Sequence, residues 1–314
     1  MTAGQGPAVP VGGAEPGPPV GGSGAVAEEA ALFGLGHVPA DATVAYGPHP
    51  DQVVDFYLPR RPSGLRVTLL HGGFWRAAYD RRHLAPLAAA LAARGAETAL
   101  VEYRRGPGAW EAAAEDVLRA TRCAAPYGPG GARRHVLVGH SAGGQLALWV
   151  GTVCAGGPVP PYGPLRADAA GSAGPHAGPG DTGACAPPPV SRVVAVAPVA
   201  DLLRARDLRT GGGAVEDFFG PGTGERTGER PGEAPRPADR LREADPVRLP
   251  PPPVPVVLLH GTADPDVPPE LSLRYVSAQR AAGGDVTLHT LDGVGHYAPV
   301  TPGTPACERL LTGL

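Results

Sequence analysis

The chain has 314 residues, among them 47 glycines and 40 prolines, and its formal net charge is -3. Because glycine and proline are so abundant, the packed part of the protein must be shorter than the chain. The charged basic side chains are all arginines and form no basic run, which argues against nucleic-acid or anionic-membrane surfaces as partners and favours a small-molecule partner.

Targeting and metal-binding signals are also missing from the sequence. Residues 1–30 have neither a basic n-region nor a continuous apolar core, and no apolar run approaches the ~18 residues of a spanning helix. We therefore expect a cytoplasmic protein without a membrane segment. The four cysteines show no CxxC spacing, so a zinc site is not expected. The oligomeric state stays open.

Three stretches rich in glycine, proline and alanine contain few large apolar side chains. They cover residues 1–30, about 155–189 and about 209–238. Such composition cannot offset the entropy of ordering, which predicts disorder or loose loops. We expect a disordered N-terminal segment over 1–30 and a single domain over 31–314 that carries the other two stretches as insertions.

Between these stretches, short apolar runs alternate with helical patterns. Two opening strands are predicted at Thr43–Tyr46 and Val53–Leu58, the second with the alternation of a half-buried antiparallel strand. Continuous, β-branched runs then predict strands buried on both faces of a parallel sheet, at Val67–Leu70, Ala99–Tyr103, Val136–Val138, Val193–Val196 and Val254–Leu259. A last strand follows at Val286–Leu291.

Helices are predicted between these strands, at His83–Ala93, Trp110–Thr121, Ala142–Val153 and Pro269–Ala282, with a short closing helix at Cys307–Leu311. Right-handed crossovers turn this alternation into an α/β fold with a mostly parallel, open sheet and helices on both faces. Reactive loops then lie at the carboxyl ends of the strands.

The strongest motif is Gly139-His140-Ser141-Ala142-Gly143, which interrupts an apolar strand and opens a helix. This pattern is typical of a nucleophile elbow, a sharp turn that lifts the Ser141 hydroxyl out of the sheet. We expect the side chain of His140 to pack away from that hydroxyl.

A serine hydroxyl is a weak nucleophile, so it requires a base and an acid that orients the base. Asp264 follows the predicted strand Val254–Leu259, and His296 follows Val286–Leu291. The order Ser141, Asp264, His296 is the order expected for a triad on such a sheet. Asp266 and Asp201 remain alternatives for the acid, and Asp264 is favoured because Pro265 fixes the turn behind it.

A second loop, His71-Gly72-Gly73-Phe74-Trp75, follows the first buried strand. Gly72 would allow the turn, while Gly73, Phe74 and the N–H of Ala142 could donate hydrogen bonds to a developing oxyanion. We expect His71 to anchor this loop rather than to act as the base. Two roles remain open for Trp75: it lies either in the core or in the wall of a substrate pocket.

These motifs together resemble the α/β-hydrolase superfamily, and within it the esterase and kynurenine formamidase (arylformamidase) group with its His-Gly-Gly-aromatic-Trp loop. The likeness spans roughly residues 40–310 and rests on these segments: His71–Trp75, Val101–Arg104, Trp110 with Asp116, Gly139–Gly144, His260–Pro268 and Gly295-His296. It implies an α/β-hydrolase fold and the hydrolysis of an ester or formamide. The proline-rich insertions after Cys154 and Arg209 depart from that pattern.

The sequence hypothesis is therefore a serine hydrolase that cleaves a small ester or formamide by acyl transfer. No nucleotide fingerprint or metal-ligand cluster accompanies the motifs, so no cofactor and no metal are expected. One alternative is an aryl or short-chain carboxylesterase without formamidase activity. Another is a non-catalytic ligand-binding protein on the same fold, because a fold does not determine chemistry.

Overall fold

The computed structural model describes residues 22–123, 132–154, 190–220 and 237–314. Its centre is an eight-stranded sheet in the order β1-β2-β4-β3-β5-β6-β7-β8. The strands are β1 (Ala42–Ala45), β2 (Val53–Tyr57), β3 (Leu65–Leu70), β4 (Ala96–Val101), β5 (Arg134–His140), β6 (Val190–Val196), β7 (Val256–Gly261) and β8 (Val286–Leu291). Strand β2 is antiparallel to both β1 and β4, and all other neighbouring strands are parallel.

Helices accompany the sheet on both faces. They are α1 (Gly22–Phe33), α2 (Ala85–Ala93), α3 (Trp110–Cys123), α4 (Ala142–Cys154), α5 (Leu202–Asp207), α6 (Ala214–Phe219), α7 (Pro237–Ala244), α8 (Glu270–Ala281) and α9 (Pro305–Thr312). The predicted α/β class, with a mostly parallel sheet and helices on both faces, is confirmed. Within the described part of the chain, no helix is both long and apolar enough to cross a membrane.

Two apolar clusters, one on each face of the sheet, explain why the central strands read as continuous apolar runs. Successive side chains of a strand point to opposite faces. Leu137 of β5 thus joins the cluster that contains side chains of α3, α4 and α8, whereas its neighbours Val136 and Val138 join the cluster with side chains of α2 and α9. Both faces of β5 are buried, so the strand has no polar alternation.

All eight predicted strands are present, with ends shifted by a few residues. The predicted helix from His83 begins instead with a 3-10 turn at Arg81–Leu84, and the regular helix starts at Ala85. Proline at position 86 accounts for this boundary because proline suits the first turn of a helix.

The predicted low-complexity stretches need correction where the structure describes them. Residues 22–30 belong to α1, whose Leu32 is buried in the core, so disorder over 1–30 is wrong for this part. The stretch 209–238 also contains α6, which buries Phe218 and Phe219. In both places a few large apolar side chains outweigh the local glycine content. The predictions for residues 1–21, 155–189 and 221–236 lie outside the described residues.

Candidate active site

The turn at Ser141 joins the end of β5 to the start of α4. Ser141 has a φ of 57°, a left-handed conformation that is rare for a residue with a side chain. Gly143 lies so close to the carbonyl groups of Leu70 and His71 that a Cβ atom at this position would overlap them. The sequence Gly-x-Ser-x-Gly thus makes the sharp turn that its pattern predicted.

The loop after β3 approaches this turn. Gly73, Phe74 and Trp75 have φ values of 104°, 50° and 54°, so three consecutive residues have left-handed backbone. Strained backbone of this kind tends to occur at functional sites. Among the described residues, no acceptor pairs with the backbone N–H groups of Gly73 and Phe74.

His71 anchors that loop, as its place in the sequence predicted. Its buried ring stacks on Tyr103 with the ring centres 4.5 Å apart. Its Nδ1 lies 2.8 Å from the carbonyl oxygen of Gly72, and its Nε2 lies 2.8 Å from Oε1 of Glu102. Both ring nitrogens of His71 thus have an oxygen partner, which holds the ring between the loop and Glu102.

Glu102 links His71 to a buried group of charges. Its carboxylate also accepts hydrogen bonds from Arg105 Nη1 at 2.6 Å and from the backbone N–H of Arg81 at 3.1 Å. Burial alone would raise the pKa of Glu102, but the charge and hydrogen bond of His71 and the charge of Arg105 outweigh it and lower the pKa to about 2. Glu102 is therefore a carboxylate at neutral pH.

Asp264 and His296 meet at the carboxyl ends of β7 and β8. Nδ1 of His296 lies 2.6 Å from Oδ2 of Asp264, and both side chains are buried. The other oxygen of Asp264 accepts the backbone N–H groups of Asp266 and Val267, each at 2.9 Å. The aspartate can therefore fix the orientation of the imidazole.

A second histidine, His260, stabilises the same carboxylate. Its Nε2 lies 2.9 Å from the carbonyl oxygen of Val267 and 3.3 Å from Oδ2 of Asp264, and its Nδ1 lies 2.7 Å from the hydroxyl of Ser272. Burial tends to raise the pKa of Asp264, but hydrogen bonds from His260 and His296 and from the N–H of Val267 hold it well below its ordinary value. Asp264 is thus fully ionised at neutral pH.

The two alternative acids have other surroundings. Asp201 caps α5 by accepting the N–H of Arg204 at 3.0 Å, and its second oxygen accepts a hydrogen bond from Arg274 at 2.6 Å. Asp266 lines the cavity at Ser141, where burial and the nearby charge of Asp266 raise the pKa of Tyr297 above its ordinary value. Asp264 alone among these three carboxylates pairs with the ring of His296.

His140 does more than pack beside the elbow. Its Nε2 donates to the carbonyl oxygen of His296 at 3.1 Å, and the two rings lie 4.7 Å apart. Complete burial, followed by the nearby charge of His296, lowers the pKa of His140 well below its ordinary value. His140 is therefore a neutral ring that supports the main chain of His296.

A cavity of about 180 Å³ opens between these elements. Ser141, His296 and the loop residues Gly73 and Phe74 line it together. The other lining residues are Glu29, Phe33, Arg76, Tyr79, His83, His140, Gly211, Asp266 and Tyr297. The structure thus brings the serine, the histidine and the glycine loop to one cavity, with Asp264 directly behind the histidine.

Three other predicted residues lie behind the cavity wall. Gly72 lies against Ser141, where a Cβ atom would come within 2.8 Å of the serine Cβ. Ala142 is fully buried as the first residue of α4. The ring of Trp75 stacks on Phe218 at 4.8 Å with 1% exposure, so it belongs to the core. Of the two alternatives left open for Trp75, the structure favours the core, and the ring lies inward from the left-handed turn at Phe74 and Trp75.

Among the described residues, one group of acidic and histidine side chains is close enough together to be considered as a metal site. Ligand atoms of Asp264, Asp266 and His296 all lie within 4.8 Å of one another. The hydrogen bond between His296 and Asp264 already explains the closeness of two of the three. A cation there would have to displace the proton of that bond, so the donors fit an orienting hydrogen bond better than a metal site.

The sequence interpretation missed two contributors to this site. Glu102 and Arg105 form the support of the His71 loop, and the signal was a charged pair directly after the buried strand β4. Helix α1 supplies Glu29 and Phe33 to the cavity wall. The glycine-rich sequence at the start of this helix predicted disorder, so its contribution to the cavity was not expected.

The chain matches the model of the alpha/beta hydrolase family over residues 69–305. It therefore belongs to the alpha/beta hydrolase family, which places it among the hydrolases. No curated protein matches the chain significantly.

Solved structures with the same fold include several esterases of low sequence identity. A truncated carbohydrate esterase from gut microbiota is 19% identical, with a TM-score of 0.60 over 88% of this chain and 97% of that one. An acetyl ester-xyloside bifunctional hydrolase from Caldicellulosiruptor lactoaceticus is 18% identical, with a TM-score of 0.60 over 88% and 95%. A thermophilic esterase from Thermogutta terrifontis, solved with propionate bound, is 19% identical, with a TM-score of 0.56 over 87% and 92%. These similarities establish the shared fold.

Proposed function

We propose that this protein hydrolyses small carboxylic esters through an acyl-enzyme formed on Ser141. The observation that carries the proposal is the serine on a strained turn beside the same cavity as the buried His296 and Asp264 pair. A base that is itself oriented by a carboxylate is what an unactivated serine hydroxyl requires.

Each step of the reaction has a group in this site. His296 takes the proton of Ser141 as the serine oxygen attacks the substrate carbonyl carbon. The N–H groups of Gly73, Phe74 and Ala142 then stabilise the negative charge on the carbonyl oxygen. When the tetrahedral intermediate collapses, the alcohol leaves with the proton from His296. Water attacks the acyl-enzyme with the same histidine as base, and the serine and a carboxylic acid are released.

Asp264 has the orienting role in this mechanism. It is ionised at neutral pH, because its pKa lies well below the ordinary value. Its hydrogen bond to Nδ1 leaves Nε2 of His296 free to exchange a proton with Ser141. The negative charge also stabilises the imidazolium that forms in each step.

The size and lining of the cavity favour small substrates. A volume of about 180 Å³ suits a short acyl chain, and Phe33, Phe74, Tyr79 and Tyr297 provide aromatic walls. The Thermogutta terrifontis esterase, solved with propionate bound, has the same fold and is consistent with a short acyl group. Acetyl to butyryl esters are therefore the first substrates to test.

A formamide of an aromatic amine is the narrower candidate within this proposal, as in kynurenine formamidase-like enzymes. The aromatic walls suit the ring of such an amine, and Glu29, Arg76 and Asp266 offer both signs of charge to a zwitterion. Hydrolysis by the same steps would release formate and the free amine. N-formylkynurenine is the specific substrate to compare with the esters.

Labelling by a fluorophosphonate tests the proposal, since the reagent requires an activated serine. We expect the parent protein to be labelled and to hydrolyse p-nitrophenyl acetate, and Ser141→Ala to lose both properties while it stays folded. Ser63→Ala is the matched control because Ser63 lies on the surface, bonded to the carbonyl of Gly95. A parent protein without labelling or turnover would instead favour a non-catalytic ligand-binding protein.

A further inference from the structure

Helix α1 lies against the loop that carries His296. Leu32 fixes the helix in the core, while Glu29 and Phe33 line the cavity at Ser141. The same helix also carries Glu28, whose carboxylate lies against the segment just after β8. This carboxylate and that loop are separated by 267 residues in sequence.

Both oxygens of Glu28 accept hydrogen bonds from the main chain around His296. Oε1 accepts the N–H of Gly295 at 2.8 Å. Oε2 accepts the N–H of Ala298 at 2.9 Å and that of Tyr297 at 3.2 Å. The donors precede and follow the histidine, so one carboxylate fixes its backbone from both sides. Hydrogen bonds to a charged acceptor are roughly twice as strong as neutral ones.

The contact is also closely fitted. A Cβ atom placed on Gly295 would lie 2.7 Å from Oε2 of Glu28, and the three atoms nearest to it all belong to that carboxyl group. Glycine at this position therefore leaves the room that the carboxylate occupies. The other side of the loop is held separately, by the bond from His140 to the carbonyl of His296.

We propose that Glu28 is a positioning residue for His296, a role that rests on the function proposed above. The loop after β8 has no regular structure of its own before residue 298. The orientation of the imidazole in the cavity that it shares with Ser141 therefore depends on what holds its backbone. Glu28 supplies this support from the opposite end of the chain, so α1 is part of the active site rather than a passive N-terminal extension.

The inference is tested by steady-state kinetics in which kcat is expressed per active site, counted by titration of the serine. In Glu28→Ala we expect kcat per titrated serine to fall about tenfold to a hundredfold, because a displacement of about 1 Å can have such an effect, while KM stays within about twofold. Glu28→Gln keeps one acceptor oxygen and should lose less. Titration with a fluorophosphonate counts folded sites, so a merely structural role would leave kcat per site unchanged.

A spectroscopic signal gives an answer that does not depend on turnover. The proton between His296 and Asp264 should give a resolved downfield NMR resonance in the parent protein, and Glu28→Ala should broaden or shift it. Glu308→Gln is the control for loss of a carboxylate, because Glu308 pairs with Arg94 on the surface. Its resonance and its kcat should match those of the parent.

A double-mutant cycle tests the contact from the loop side. Gly295→Ala should displace the carboxylate and lower kcat about as much as Glu28→Ala does. In the Glu28→Ala background, the same glycine substitution should have little further effect because the crowding atoms are gone. If the two substitutions lower kcat independently, so that their fold losses multiply in the double variant, the inference is contradicted.

The outcomes separate this inference from the proposed function. If His296→Gln is inactive while Glu28→Ala keeps the kcat per site and the resonance of the parent, Glu28 has no positioning role and the hydrolase mechanism stands. If His296→Gln is as active as the parent, both proposals are wrong. A selective loss of kcat in Glu28→Ala, relieved in part in Glu28→Gln, supports the positioning role.

Discussion

Nδ1 of His296 lies 2.6 Å from Oδ2 of Asp264, and that carboxylate also faces Nε2 of His260 and accepts two backbone N–H groups. The carboxylate of Asp264 is thus held by donors other than His296, so substitution of Asp264 tests the identity of the acid directly.

Asp264→Asn should lower kcat by about 10³ to 10⁴, because an amide favours the wrong tautomer of His296 and cannot stabilise the imidazolium. Asp266→Asn should act mainly on KM, since Asp266 lines the cavity, and Asp201→Asn should act mainly on stability through Arg274. Steady-state kinetics on p-nitrophenyl acetate give the comparison. A larger loss of kcat at Asp201 or Asp266 would move the acid to that residue.

Phe33→Ala should widen the range of acyl chains. Phe33 lines both the cavity at Ser141 and a neighbouring cavity of about 280 Å³, and its ring lies 5.5 Å from that of His83. Removal of the ring should join the two spaces. Since each buried methylene contributes about 0.8 kcal/mol, the burial of about two more methylenes should raise the ratio of kcat/KM for octanoyl over acetyl esters about tenfold.

The control for this prediction is Val26→Ala, which changes an exposed residue of the same helix that lines neither cavity. Its chain-length profile should coincide with that of the parent. An unchanged ratio in Phe33→Ala would mean that Phe33 does not separate the two cavities functionally.

Glu102→Gln should change how stability responds to acid. The pKa of Glu102 is lowered from 4.5 to about 2 in the folded protein, so its contribution is complete above the unfolded pKa and is lost as the pH falls toward 2. The variant should have a lower Tm at pH 7, because buried Arg105 and His71 lose their partner. Between pH 5 and pH 3, its Tm should fall less steeply than that of the parent.

Circular dichroism melts at several pH values measure this difference. Glu308→Gln again serves as the control, because its surface pair with Arg94 should contribute little. Parallel Tm curves for the parent and Glu102→Gln below pH 5 would show that Glu102 is not the group whose ionisation stabilises the fold.

The sequence was most informative where a motif is local. The elbow at Ser141 and the apolar strand that ends at it are consecutive in the chain, so periodicity and glycine spacing predict them together. Asp264 and His296 were predicted because each follows an apolar strand. Their proximity depends on parallel strands that share one edge of the sheet, and the structure has this arrangement.

Other features depend on geometry that no local pattern records. The ring of Trp75 lies in the core because two successive left-handed residues reverse the chain there. Glu28 contacts a loop 267 residues away, and its helix begins with glycine and serine that suggest disorder. Long-range contacts of this kind are chosen by the whole packing arrangement, so composition is a poor guide to them.

The left-handed backbone at Ser141 also means that chemistry and folding favour different residues at one position. Glycine adopts a φ of 57° without the steric penalty that any side chain meets there, which is about 1 to 2 kcal/mol for an L-residue. Two variants that both lack the hydroxyl test this conflict. Ser141→Gly should have a higher Tm than Ser141→Ala. Stability screens that are blind to turnover should therefore enrich glycine at the proposed nucleophile, and a stabilised variant of this protein must be selected with activity as a second criterion.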